Sequence, residues 1–295
     1  NTVEAGTHAK VLVATTDRCS NSPSLLWNNP RGMGGQPVYE SWMVDGFNTD
    51  PVAQVSAAQT AENVGQEHGV TKEESDAMAV SRYQKYTDSL KNDREFQKRY
   101  MIGVDVKISR KETIVVDEDE GVIPCTEEGM AKLKPVIPGG ILSFGAQTHA
   151  ADGNAGMIVT TKEGADEMSA DKNVTIQVLS YGYARAKQAF MAAAVTPCAE
   201  MALKNANITV ADLGAVKTHN PFTVNDVVMG KLMGIDEKIF NNYGSSLIFG
   251  HPQGPTGMRQ IIEMIEELVM KGGGYGLFAG CAAGDTAAGL VIKVN

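Results

Sequence analysis

From residue 153 onward, short apolar runs alternate with helical stretches, and this alternation constrains the fold more than any other feature of the chain. "NAGMIVTT" (154–161) reads as a buried strand and "VTIQVLSYGYA" (174–184) as another. Thr196 and Pro197 open a helix, "LGAVKTHNP" is a strand, a second helix lies near 223–233, and a long third one runs to Lys271. The strand pair "YGLFAGCAAG" and "TAAGLVIKV" closes the span. Short apolar runs punctuated by helices predict a layered α/β fold with a largely parallel sheet.

The first half begins differently. Residues 1–6 read as the tail of a helix running into Gly6, and the strand "KVLVAT" (10–15) follows, so the chain is expected to open partway through a structural unit. Residues 17 to about 140 are then polar and loop-rich. They hold one helix from Val52 to His68 and a second opened by the Thr71/Glu74 capping box. A strand "GVDVKI", an acidic "VVDEDEG" and the segment "CTEEGMAKLKPVIPGG" come next. The pair "KVLVATTD" and "NAGMIVTT" echoes the closing strand pair. A duplicated α/β half with a long insertion inside its first copy is the reading this suggests.

The 295 residues are 43% apolar and 21% charged, with a formal charge of −9. No Lys/Arg stripe accompanies the aromatics, so a nucleic-acid surface is not expected. The four cysteines, Cys19, Cys125, Cys198 and Cys281, form no CxxC pair. That spacing disfavours a zinc site or disulfide framework and suits a reducing compartment, so free thiols and a cytoplasmic location are expected, with no metal or redox cofactor. No apolar run reaches the ~20 residues of a bilayer span.

Three reactive side chains stand at element ends, where α/β folds collect ligands. His219 follows the strand "GAVKT", His251 lies in "GHPQGPTG" ahead of the long helix, and Cys281 ends "YGLFAG". Two imidazoles to move protons near neutral pH and a thiol to exchange one at carbon suit thioester chemistry. Singly, a turn histidine is more often a surface or capping group, and a lone cysteine a small core residue. For His8, His68, His149, Cys19, Cys125 and Cys198 the structural reading is favoured.

"GHPQGPTG" closely resembles the GHPxGxxG signature of the thiolase superfamily. "TAENVGQEHGVTKEESDAMAV" resembles its loop domain, "MAKLKPVI" the segment before its coenzyme A loop, "AADGNAGMIV" its NDGAAA strand, "HNPF" its NEAF or HDCF box and "CAAGD" its CxGGG turn. The resemblance covers essentially the whole chain. It implies a five-layer αβαβα fold of two βαβαβαββ halves, the first incomplete: residues 1–16 and 150–165 as its remnant, 17–149 as the inserted coenzyme A-binding loop domain, and 166–295 as the second half. It also implies cleavage of a 3-oxoacyl-CoA by coenzyme A, or the reverse Claisen condensation, with acyl-CoA as substrate and oligomeric assembly. His251 matches the histidine that activates the nucleophilic cysteine, Cys281 the acid–base cysteine, and His219 the oxyanion-hole position. Ala283 and Gly284 match backbone oxyanion donors, and Met130, Leu133, Ser143, Gly145, Thr148 and Phe222 fall at coenzyme A contacts.

By the same register the nucleophilic cysteine falls roughly ten residues before Asn1; a partner chain carrying the amino-terminal half is one expected source. Pro221 and Ala283 depart from the family pattern, the segment "QVSAAQTAEN" lacks the histidine that biosynthetic members place in the pantetheine pocket, with Ser56 near that position, and the tryptophan segments "LLWNNP" and "ESWMVDGF" are candidates to cover a larger acyl group. Two other functions fit the same residues: a decarboxylating 3-oxoacyl synthase, against which Cys281 argues, and a non-catalytic coenzyme A-binding scaffold.

Overall fold

A computed structural model describes residues 2–295. The strands are β1 (Lys10–Arg18), β2 (Ser24–Trp27), β3 (Val38–Ser41), β4 (Val104–Lys107), β5 (Thr113–Val116), β6 (Asp152–Thr160), β7 (Ile176–Arg185), β8 (Leu213–Thr218), β9 (Gly274–Ala282) and β10 (Thr286–Val294). The helices are α1 (Trp42–Asn48), α2 (Ala57–Glu67), α3 (Lys72–Ser89), α4 (Lys91–Lys98), α5 (Glu127–Lys132), α6 (Lys162–Met168), α7 (Val195–Ala206), α8 (Thr223–Met233), α9 (Ser246–Phe249) and α10 (Gly254–Met270).

The principal sheet has the order β7-β10-β9-β8. Only β8 and β9 run parallel; β10 is antiparallel to both β9 and β7. The sheet is therefore mixed, not largely parallel as the alternation predicts. The reason is local: three residues join β9 to β10, and so short a link can only return the chain antiparallel. Strands β1 and β6 form a second antiparallel pair, Lys10 opposite Thr160 through Arg18 opposite Asp152. This pair has the arrangement of β9 and β10, but residues 19–151 stand where the other pair has its short turn.

Helix α10 packs between the two sheets, against β1 and β6 on one side and β8 and β9 on the other. Its Met264 and Leu268 are fully buried among Ala215, Phe278, Ile292 and Val294. Each such side chain contributes about 1.5–3 kcal/mol of apolar burial. Close approach needs Gly276, where a Cβ would sit 2.8 Å from Met264. Helix α7 covers the opposite face of the principal sheet through Cys198, Ala199 and Ala202 against Leu277, Ala279 and Val291. Strand β6 has no fully buried residue, contrary to its apolar sequence, because its one strand partner among the described residues is β1 and its outer face is exposed.

The segment 19–151 packs over α8 by α2 and α3, whose Ala61, Val64 and Ala79 share a core with Val224, Val227 and Phe249. Helix α3 has the predicted capping box, with Thr71 Oγ1 accepting from Glu74 N and Glu74 Oε2 accepting from Thr71 N. Helix α2 starts at Ala57, later than the predicted Val52. The Asp50 carboxylate takes the backbone N–H groups of Val52 and Ala53 and holds them in a turn, and Ser56 then caps the helix. Residues 2–6 form turns ending at Gly6, so the predicted helical tail is confined to a turn there. Trp27 and Trp42 are exposed, on the β2–β3 hairpin and on α1.

Candidate functional site

Three chain reversals meet beyond the ends of β8 and β9. At the first, Thr218 N donates to Asn241 Oδ1 at 2.9 Å, Ser246 Oγ donates to the His219 carbonyl, and Asn220 turns the chain with φ of 46°. These bonds leave His219 6% exposed, its Nδ1 without a partner. At the second, His251 N donates to the His149 carbonyl at 2.8 Å. The preceding Gly250 has φ of 89°, and a Cβ there would lie 2.6 Å from Ala151 Cβ and 2.9 Å from His149 Nε2. Only glycine fits both the conformation and the space. At the third, Cys281 lies near the end of β9, behind Gly280, where a Cβ would come within 3.0 Å of His219 Nδ1.

The three predicted reactive groups come together. The rings of His219 and His251 are 5.3 Å apart between centroids and inclined at 51°. Cys281 Sγ is 3.8 Å from His219 Nε2. The sequence separation of 62 residues between that pair is closed by the parallel alignment of β8 and β9.

Burial sets the charge states. It pushes the Cys281 thiol up to about 12, opposed by a hydrogen bond from Asn225. Burial lowers His251 to about 4, with Asp17 opposing. His219 falls well below the usual imidazole value through burial and then through the neighbouring His251. At neutral pH the site thus holds two neutral imidazoles and a protonated thiol: two groups able to accept a proton, one acidic S–H and no fixed charge.

Thr256, five residues after His251, was not identified from sequence. Its hydroxyl lies 2.7 Å from His251 Nδ1. A hydroxyl can donate or accept, so it holds the ring in either tautomer and leaves Nε2 as base or as donor. Asn225, in the first turn of α8, was also missed; its Nδ2 donates to Cys281 Sγ at 3.3 Å. A polar residue near the start of the helix after "HNPF" is the signal that points to it.

Other predicted residues divide. Gly284 N donates to Asp50 Oδ2 at 2.8 Å, so this N–H is taken and Gly284 is not a free oxyanion donor. Ala283 is exposed and is not among the left-handed residues, so its Cβ is accommodated. Met130, Ser143 and Phe222 are buried, Met130 and Phe222 within the core shared by α2, α3 and α8, and present little surface to a ligand. Met130 packs closely against Gly145, where a Cβ would meet Met130 and lie 3.1 Å from Leu133. Leu133 itself is exposed and Gly145 and Thr148 partly so. Thr148 ties this loop to the site, its N donating to the Pro221 carbonyl at 2.7 Å and its Oγ1 to the Ser246 carbonyl. Phe144, 66% exposed between Ser143 and Gly145, is the aromatic on this loop that the sequence reading passed over.

Two of the cysteines read as structural lie in the packed interior. Cys19 is buried, with its Sγ 3.9 Å from the His251 carbonyl oxygen, and burial followed by Asp17 raises its thiol. Cys198 is buried and donates to the Gly182 carbonyl. Ser56 caps α2. Among the described residues no cluster of three or more His, Cys, Asp or Glu could hold a metal ion, and no helix is long and apolar enough to cross a membrane.

Comparison with known proteins returns one family along nearly the whole chain. The family model of the thiolase N-terminal domain matches residues 1–163, and that of the thiolase C-terminal domain residues 172–294. An acetyl-CoA acetyltransferase of Yarrowia lipolytica is 28% identical over 296 residues, covering 99% of this chain and 71% of its own length. One from Syntrophomonas wolfei is 26% identical over 298 residues, covering 99% and 74%. Among solved structures, human mitochondrial 3-ketoacyl-CoA thiolase in complex with CoA superposes with a TM-score of 0.88 at 24% identity, over 100% of this chain and 73% of that one, which establishes a common fold. Two domain models of one family, the C-terminal one carrying His219, His251 and Cys281, together match nearly the whole chain and place it in the thiolase family.

Proposed function

We propose that this thiolase-family chain works on coenzyme A thioesters, cleaving a 3-oxoacyl-CoA with coenzyme A or running the reverse Claisen condensation. The observation that carries this reading is the meeting of Cys281 Sγ with His219 Nε2 at 3.8 Å, beside the His251 ring. A neutral imidazole accepts a proton from a thiol nucleophile. When Thr256 donates to its Nδ1, the same ring presents an Nε2–H to the oxygen of a developing enolate. Each preorganised donor of that kind is worth about 2.7–4 kcal/mol of barrier. Cys281, kept protonated by burial, gives its proton to the α-carbon of the departing acyl-CoA. The Ala283 N–H and His219 are the further oxyanion donors.

Leu133, Phe144, Gly145 and Thr148 offer the exposed face on which the pantetheine arm would lie, with Met130, Ser143 and Phe222 supporting it from below. The acyl-accepting cysteine is proposed to lie outside residues 2–295. Cys19 and Cys198 are buried with their sulfurs against backbone carbonyls, and burial raises Cys125 to about 11. Exposed Leu12 and Ile158 on the β1–β6 pair support association with further polypeptide through that sheet.

The test is acetyl-CoA in D2O with and without coenzyme A, using the native protein and C281A. Exchange of α-protons that depends on Cys281, together with thiolysis of a 3-oxoacyl-CoA, is the expected result. Absence of both overturns the reading in favour of a coenzyme A-binding scaffold, and release of CO2 from malonyl-CoA overturns it in favour of a decarboxylating synthase.

A further inference from the structure

Asn225 is 1% exposed, and the partner of its side chain is a sulfur: Nδ2 donates to Cys281 Sγ at 3.3 Å, while Oδ1 has no partner. An apolar side chain of similar size would fill the same space without desolvating an amide. The amide therefore needs a compensating role. A neutral thiol is a weak acceptor, whereas a thiolate is a strong one, so a fixed N–H aimed at sulfur favours the charged form selectively.

The other group within reach of the sulfur is His219, whose Nε2 donates or accepts according to tautomer and whose Nδ1 has no bond to fix that tautomer. An asparagine amide has no tautomer to lose and does not titrate. Its position is also held firmly. The next residue, Asp226, accepts from Arg82 Nε at 2.6 Å, Thr218 Oγ1 at 2.6 Å and Asn241 Nδ2 at 2.7 Å, pinning the first turn of α8 to the end of β8.

We propose that Asn225 is a catalytic residue that stabilises the Cys281 thiolate while the proton resides on substrate carbon. In the cleavage direction the Cys281 S–H bond breaks, its proton goes to the carbanionic α-carbon of the leaving acyl-CoA, and the electron pair stays on sulfur. The incoming coenzyme A thiol then returns a proton to that sulfur. The substrate in this step rests on the thiolase reading; the link between Asn225 and the acidity of Cys281 does not.

The experiment measures the rate at which iodoacetamide alkylates Cys281 between pH 7 and 9.5, resolved by peptide mass spectrometry, in native protein, N225A, N225S and N225D. In parallel, α-proton exchange of acetyl-CoA is followed in D2O. Loss of the donor raises the thiol by about one unit, so N225A is alkylated about tenfold more slowly at a given pH. N225D, which places a carboxylate at the sulfur, is slower still, and N225S recovers part of the loss by keeping an O–H. Exchange falls in the same order, and N225A has no further effect once Cys281 is replaced in C281A. Superposable alkylation profiles for native protein and whichever of N225A or N225S keeps the native melting temperature overturn the proposal. If the profiles shift but native protein exchanges no α-protons, the Asn225–Cys281 link stands and the thiolase reading falls.

Discussion

The Asp50 carboxylate accepts the Gly284 backbone N–H at 2.8 Å, joining two residues 234 apart in sequence. Asp50 also takes the N–H groups of Val52 and Ala53, so one buried side chain fixes both the entry to α2 and the turn that follows Cys281. The segment between β1 and β6 is thereby latched to the turn that follows Cys281. Asp285 secures the other side of that turn by accepting from Ala189 N and Phe190 N.

Replacing Asp50 tests this latch. D50A leaves three backbone donors without their acceptor, at about 1–3 kcal/mol for each one that stays buried and unpaired. The expected result is a lowered melting temperature together with a fall in kcat, because the Ala283 N–H proposed as an oxyanion donor rides on the same turn. D50N, which keeps one acceptor oxygen, recovers part of both. A D50A protein with native stability and native kcat would show the latch to be dispensable.

Thr256 makes a separate prediction through the tautomer of His251. T256V keeps the side-chain shape and removes the hydroxyl, leaving Nδ1 without its 2.7 Å partner. An orienting hydrogen bond worth about 1–1.5 kcal/mol corresponds to roughly a tenfold loss. The loss is expected in kcat with KM little changed, since the hydroxyl supports the ring and does not hold substrate. T256S restores the rate. A change confined to KM would place Thr256 in substrate binding instead.

What could be read from sequence was whatever is encoded locally. The Thr71/Glu74 box fixes the start of α3 because both of its hydrogen bonds lie within four residues. "GHPQGPTG" exposes a turn because Gly250 must adopt positive φ. His219, His251 and Cys281 could be singled out because each is a reactive residue at a strand or helix end. The direction of β10, the fate of the Gly284 N–H and the burial of Ser143 and Met130 depend on contacts between distant segments, which local pattern does not carry. Asn225 and Thr256 were missed for the same reason: an asparagine or threonine in a first helical turn usually serves the helix, and only the fold shows that these two face a sulfur and an imidazole.

The two site histidines predict how stability varies with pH. His251 is held near 4 in the folded protein against an ordinary value of 6.5, so the unfolded chain takes up its proton first as the pH falls. Stability contributed by the neutral ring is complete above pH 6.5 and is lost as the pH drops from there toward 4. His219 is displaced in the same direction and steepens the loss. Melting temperatures measured from pH 7.5 to 4.5 should decline across this window, and H251Q should flatten the decline. The acid limb of kcat/KM should likewise lie below 6.5, since the base stays neutral to lower pH than a free imidazole. A limb at 6.5 would mean that the ring is solvated in the working enzyme.

The buried pair of Arg82 and Asp226 makes the last prediction. Both side chains are fully buried, and Arg82 Nε donates to Asp226 Oδ2 at 2.6 Å. Arg82 belongs to α3 in the segment between β1 and β6, and Asp226 to α8, so the pair crosses the seam beneath the site. Removing one partner strands a charge: R82L leaves the Asp226 carboxylate with Thr218 and Asn241 alone, and D226N leaves the guanidinium with Glu237. Each single change is expected to cost about 3–5 kcal/mol in urea denaturation. The double variant R82L/D226N should cost markedly less than the sum, because neither charge remains to be stranded. Additive losses would mean that the two side chains act through packing alone. A Cys281 alkylation rate that changes with R82L at a temperature where the variant is folded would show that the same pair also keeps Asn225 on the sulfur.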